Sequence, residues 1–172
     1  MSDPAHPHPA DFQSIYLQTR SMVLALSLQM LGDPAEAEDA AQTTFLQVHR
    51  FLPSFRAESS IETWVYRIAL REAALRARQR SQRRFRLAAE ADRVRSRTPS
   101  DAPPTQGDDP LAAMQRLSED HRAVLSLLHL REISVQQVAE ILGVPEGTVW
   151  SRAHAARREL RSLLERKEPE PH

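Results

Sequence analysis

The sequence predicts an all-α protein of two small helical domains joined by a flexible linker. Three observations carry this. Apolar residues recur at three- and four-residue spacing, and no stretch alternates as a half-buried strand does. Helix stop and start signals stand along the chain, from "GDP" at 32–34 to "GVP" at 143–145. Between them "RSRTPSDAPPTQGDDP", Arg95 to Pro110, holds four prolines and few apolar residues, and it divides the helical pattern in two. A chain of 172 residues suffices for such a pair.

Residues 1–9, rich in Pro and His, read as a disordered tail. The first domain spans 10–94. Its first helix carries Phe12, Ile15, Tyr16, Val23, Leu26 and Met30 on one stripe and stops at Gly32. Asp33 as N-cap and Pro34 at the first helical position start the second. Its stripe is Ala37, Ala41, Phe45, Val48 and Leu52, and Pro53 ends it. After the polar loop "SFRAESS", Ser59 or Ser60 caps a third helix that buries Ile61, Val65, Ile68 and Leu75 and continues beyond Arg80. The linker covers 95–110 and the second domain 111–168. There, a short helix holds Leu111, Met114 and Leu117, Ser118 caps a strongly apolar helix, and Ser134 with Gln137 forms a capping box. Gly143 supplies the helix C′ position.

Composition excludes several classes of chemistry. With no cysteine there is no disulfide framework, thiol nucleophile or Cys-ligated zinc. The four glycines form no phosphate-cradling loop, and His49, His121, His129 and His154 are scattered. No catalytic residue, metal, cofactor or small-molecule substrate is therefore expected, and the chain reads as a non-enzyme. No apolar run approaches the roughly 18–20 residues that span a bilayer, and the start lacks a signal-peptide pattern. A cytoplasmic monomer is expected. Net charge is zero, but its distribution is uneven. Residues 1–66 hold three Arg against eight acids, whereas residues 67–97 hold eleven Arg against three. Such a local field suits phosphates.

A short helix (134–142), a tight turn (143–145) and a basic helix (146–166) make a helix-turn-helix. The first helix braces the second, whose N-terminal residues face base edges in the major groove. With Val149, Ala153, Ala156, Leu160 and Leu163 inward, the outward set includes Glu146, Thr148, Trp150, Ser151, Arg152 and Ala155. Arg152 suits guanine or a phosphate, and Arg157 and Arg158 suit phosphates. Trp150 fits either a DNA contact or a partner protein.

The tail "LSEDHRAVLSLLHLREISVQQVAEILGVPEGTVWSRAHAARREL" resembles the fourth conserved region of bacterial extracytoplasmic-function (ECF) sigma factors, group 4 of the sigma-70 family. "LGDPAEAEDAAQTTFLQVHRFLPSFRAESSIETWVYRIA" resembles their second conserved region. The two occur in the family's order and cover about four fifths of the chain. The resemblance implies a second-region helical bundle and a fourth-region helix-turn-helix, reading the minus-ten and minus-thirty-five promoter elements. It implies that the AED-containing helix docks on a coiled coil of core RNA polymerase, here through Glu38, Asp39, Gln42 and Leu46. It places Arg56, Ser59, Ser60, Thr63, Trp64, Arg67, Arg71 and Arg78 at the minus-ten region, with Thr63, Arg67, Arg71 and Arg78 as one outward stripe. Arg76, Arg80, Arg83 and Arg84 extend that positive field. Thr148, Trp150, Ser151, Arg152, Arg157 and Arg158 fall at the minus-thirty-five region. An anti-sigma factor, often membrane-anchored, is the implied regulator.

The chain departs from the family pattern at several positions. Arg71 stands where Asn is common, Leu75 for Asp and Thr43 for Glu. In the recognition helix Trp150 stands for Lys, Ala153 for Leu and Ala155 for Arg. The alternative function is a free-standing helix-turn-helix regulator, which would need neither the AED helix nor "TWVYRIA".

Overall fold

The structure is a computed structural model that describes residues 11–95, 109–130 and 133–165, with side chains excepted at 89 and 91–95. The expected tail at 1–9 and nearly all of the linker lie outside the described residues. Among those described there are seven α-helices and no strand. They are α1 (Phe12–Leu31), α2 (Pro34–Phe51), α3 (Ile61–Arg95), α4 (Pro110–Met114), α5 (Glu119–His129), α6 (Val135–Leu142) and α7 (Glu146–Glu165). A single 3₁₀ turn, Leu52–Ser54, follows α2, so Pro53 tightens the last turn before the chain leaves it.

The helix ends carry the chemistry read from the sequence. Asp33 accepts a hydrogen bond from the Glu36 amide at 3.0 Å, with Pro34 in the first turn. Ser60 caps α3 by accepting from the Thr63 amide at 3.1 Å. Ser118 caps α5, and Ser134 with Gln137 closes the capping box of α6. Gly32 and Gly143 hold the left-handed C-cap, with φ of 71° and 66°.

In the first unit α1 packs on α2 and α3, and α2 packs on α3. Ile15, Val23, Leu26 and Met30 of α1 are buried with Ala40, Phe45 and Val48 of α2 and Val65, Ile68 and Ala69 of α3. Each large side chain removed from water contributes roughly 1.5–3 kcal/mol. The small residues Ala37, Ala40 and Ala41 line the buried side of α2, where a short side chain allows close approach. Tyr16 departs from the expected inward stripe, being partly exposed, and Leu75 is about half exposed. From Ser81 to Ala88 every side chain of α3 is exposed, Phe85 among them.

In the second unit α5 packs on α6 and α7, and α4 on α7. The two units also touch. Helix α5 lies against α1 and α6 against α3, and one cluster of buried apolar residues runs through both. No helix among the described residues is long and apolar enough to cross a membrane.

Candidate functional site

The outer face of α2 has the character the sequence suggested, and more. Glu38, Asp39 and Gln42 are exposed, and Leu46 leaves 71% of its surface in water. Glu38, Gln42 and Leu46 border an open groove of about 720 Å³ between α1 and α2. Aromatic edges build its walls. Tyr16 meets Phe45 edge-on at 4.8 Å between ring centroids, and Phe12 meets His49 at 5.1 Å. Leu24 and Arg20 complete the rim, with the Arg20 guanidinium 5.8 Å from the centre of the Tyr16 ring. Sequence reasoning found the α2 half of this face and missed the α1 half. Phe12 and Tyr16 were assigned inward by period alone, yet Tyr16 lies at the edge of that stripe and Phe12 in the first turn of α1, where the groove opens.

Thr43, which replaces a family glutamate, has a role inside the fold. Its hydroxyl accepts from Arg76 Nη2 at 2.9 Å and donates to the Asp39 carbonyl at 2.9 Å. Arg76 also meets Glu72 at 2.7 Å, and Gln47 donates to that same carboxylate at 3.3 Å. Arg80 donates to the Leu31 carbonyl at 2.8 Å and pairs with Glu36 at 3.2 Å. These two arginines are thus engaged within the first unit. The positive field they were expected to extend falls to residues farther along α3, with Arg83, Arg84 and Arg86 exposed.

The expected stripe Thr63, Arg67, Arg71 and Arg78 needs correction. Thr63 is buried, 1% exposed, with its hydroxyl accepting from Ser60 Oγ at 3.0 Å. Periodicity treated α3 as a helix with one covered face, whereas α6 covers a second side. Arg67, one turn after Thr63, donates from Nε and Nη2 to the Glu140 carbonyl of α6 at 3.1 and 2.8 Å. Arg78 forms a two-pronged pair with Glu119 of α5 at 2.7 and 2.6 Å. That hydrogen bond and the Glu119 charge push the Arg78 guanidinium above its usual range. Arg71 alone of the four is simply exposed.

The loop before α3 holds Arg56 exposed, Ser59 half-buried and Ser60 committed to the cap. Ala57 stands at φ 54°, a left-handed conformation uncommon outside glycine. Trp64 is partly buried, its ring 5.1 Å from that of Phe55, so it anchors the loop on the helix.

In α7, Val149, Ala153 and Ala156 are buried as expected. Trp150 is 56% exposed, and Ser151, Arg157 and Arg158 are exposed beside it. Thr148 is half-buried, and its carbonyl accepts from Ser151 Oγ at 3.1 Å. Arg152 reaches back to Asp120 of α5 at 3.1 Å. No group of three or more His, Cys, Asp or Glu side chains among the described residues could hold a metal ion.

This geometry, a three-helix unit with a polar-rimmed groove and a basic helix followed by a helix-turn-helix, is that of a two-region helical protein built around a helix-turn-helix. Comparison with known proteins agrees. Residues 15–84 match the family Sigma-70 region 2, and residues 111–160 match Sigma-70, region 4. The chain is 31% identical to RNA polymerase sigma-H factor of Pseudomonas aeruginosa, over 90% of this chain and 86% of that protein. It is 30% identical to ECF RNA polymerase sigma factor SigW of Bacillus subtilis, over 90% and 88%. Among solved structures it resembles the sigma factor RpoE of Bartonella quintana in complex with the anti-sigma factor NepR. The TM-score is 0.66 at 25% identity, covering 92% of this chain and 99% of that one. CnrH, solved with the cytosolic domain of CnrY, shares the fold at a TM-score of 0.65 and 21% identity, over 91% of this chain and 89% of that one. The chain belongs to the ECF RNA polymerase sigma factors.

Proposed function

We propose that this chain is a dissociable, non-enzymatic initiation subunit that acts in the cytoplasm. It docks on core RNA polymerase through Glu38, Asp39, Gln42 and Leu46. It then directs the polymerase to promoters through α3 and its preceding loop at the minus-ten element and through α7 at the minus-thirty-five element. The observation that carries this is the groove between α1 and α2. An exposed leucine beside acidic and amide side chains suits a basic, amphipathic helical partner. An anti-sigma factor is the expected regulator, since a solved structure of similar fold holds one.

Magnitudes divide the labour. Duplex stacking is worth about 1.4 kcal/mol per base-pair step, so opening a bubble of many pairs costs well over ~10 kcal/mol. Capture of one extruded base returns roughly 1–3 kcal/mol. Melting is therefore shared with the core enzyme, and the free chain binds promoter DNA weakly.

The test is gel filtration with bacterial core polymerase, using wild type and a Glu38→Arg, Asp39→Arg double variant. Co-elution of wild type only is expected. A wild type that fails to co-elute, yet binds duplex DNA tightly by itself, would favour a free-standing helix-turn-helix regulator.

A further inference from the structure

Helix α5 begins with two acidic residues, and each engages an arginine assigned to DNA. Glu119 holds Arg78 of α3 by two short hydrogen bonds of 2.7 and 2.6 Å. Asp120 pairs with Arg152 of α7 at 3.1 Å. One arginine belongs to the minus-ten surface and the other to the recognition helix. The Arg78 guanidinium, its fork filled by the Glu119 carboxylate, does not offer that edge to a phosphate, because the two ligands share one geometry, while Arg152 meets Asp120 through a single nitrogen.

We propose that the Glu119–Asp120 pair is an internal competitor for DNA phosphates, masking one arginine of each region in the free chain. This rests on the reading that α3 and α7 face promoter DNA. The pair is held in place from a distance. Gln115 Nε2 donates to the Gln29 carbonyl at 2.9 Å, and Arg122 Nη1 donates to the Met30 carbonyl at 3.0 Å. These bonds fix the start of α5 against the C-terminal end of α1. Nearer the start of α3, on the same face as Arg78, Arg67 donates from Nε and Nη2 to the Glu140 carbonyl, so the docked second unit occupies a further minus-ten arginine. Partners that separate the units would release Arg67 and Arg78 together. Arg152 pairs within the second unit, so DNA must displace Asp120 directly.

The masking makes a quantitative prediction. Each phosphate neutralised on a single strand steepens the dependence of log K on log salt by about 0.7. Freeing both arginines adds two such contacts, so the slope should steepen by about 1.4. The experiment measures binding of the full chain to a fluorescent single-stranded oligonucleotide across a salt series. Wild type is compared with Glu119→Gln, Asp120→Asn. A second double variant, Asp11→Asn, Glu165→Gln, makes the same change of charge at exposed positions elsewhere and sets the baseline. The expected result is affinity about tenfold above that baseline at low salt, with the steeper slope. Adding Arg78→Ala to the Glu119→Gln, Asp120→Asn variant should remove about half of the added slope.

Equal affinity and slope in the two double variants would overturn the proposal. So would a gain that survives Arg78→Ala undiminished. Core polymerase binding by gel filtration is followed in parallel, and all forms should co-elute alike. Its loss in every form would refute the initiation-subunit reading, a result separable from the salt series because that is read on DNA alone.

Discussion

Gly32 and Gly143 occupy the same backbone conformation, and replacing each by alanine separates two costs. Both sit in the left-handed region, where an L-residue is less favourable by roughly 1–2 kcal/mol. At Gly143 an added Cβ meets no atom within 4 Å. Gly143→Ala therefore measures the conformational term alone, about 1 kcal/mol. At Gly32 the added Cβ would lie 2.7 Å from Gln115 Cγ and 2.8 Å from its Cδ. The Gln115 side chain is flexible and can swing away, but doing so breaks its bond to the Gln29 carbonyl and the one it accepts from Arg122 at 3.0 Å. At about 0.5–1.5 kcal/mol per bond, Gly32→Ala should cost ~2–4 kcal/mol in all. For a chain of this size each kcal/mol moves Tm by about 2–4 °C. Thermal unfolding followed by circular dichroism should thus give a markedly larger drop for Gly32→Ala than for Gly143→Ala. In a Gln115→Ala background the excess should vanish, since the obstructing side chain is gone. Equal losses at the two glycines, or an excess that persists without Gln115, would refute the docking of α5 on the end of α1.

Leu46→Ala should leave stability unchanged, because the side chain is largely exposed, and weaken core polymerase binding by roughly 1–2 kcal/mol as measured by fluorescence titration. Ser27 and Ser126 are fully buried in helices with no hydrogen-bond partner for their hydroxyls, so alanine at either should raise stability by about 1 kcal/mol in urea unfolding. Ala57→Gly should relieve the left-handed strain of the loop and raise Tm by ~2–4 °C; a fall would mean that the alanine methyl has packing value there.

Local structure was legible in the sequence because local chemistry writes it. Asp33, Ser118 and Ser134 each had a capping side chain beside a new periodic stretch, and each caps. Gly32 and Gly143 followed the last apolar position of a helix, and both are left-handed C-caps. The helix-turn-helix was read the same way. What escaped was the docking of one unit on the other. Besides the Arg78–Glu119 pair, its polar contacts run from Arg67, Gln115 and Arg122 to the carbonyls of Glu140, Gln29 and Met30. Every residue type has a carbonyl, so nothing in the sequence marks the acceptor. Thr63 was misjudged for the same reason: a second covered side of α3 comes from an element more than seventy residues away. The groove was half found, because Glu38, Gln42 and Leu46 follow one helical face while Phe12 and Tyr16 belong to another helix.

The C-terminal turn of α1 sets what the polar docking of the two units is worth. A helix ends with four carbonyls that have no partner within it. Here each has one. The Gly32 amide serves Leu28 at 2.7 Å, Gln115 serves Gln29, Arg122 serves Met30 and Arg80 serves Leu31. Two of the four donors belong to the second unit. When that unit leaves, water can take over at Gln29 and Met30, so the net loss is about 0.5–1.5 kcal/mol per bond rather than the larger cost of a buried orphan. Arg122 itself is not stranded. It keeps the carbonyls of Met114, Gln115 and Leu117 at 3.1, 2.9 and 3.0 Å, all within the second unit. Burial lowers the pKa of its guanidinium, and that penalty shrinks as the interface opens to water. Arg80 stays with α1 in the same way. Each unit thus retains its own internal anchors, and the polar contacts between them are of the kind that water, a phosphate or a partner's side chain replaces at small net cost.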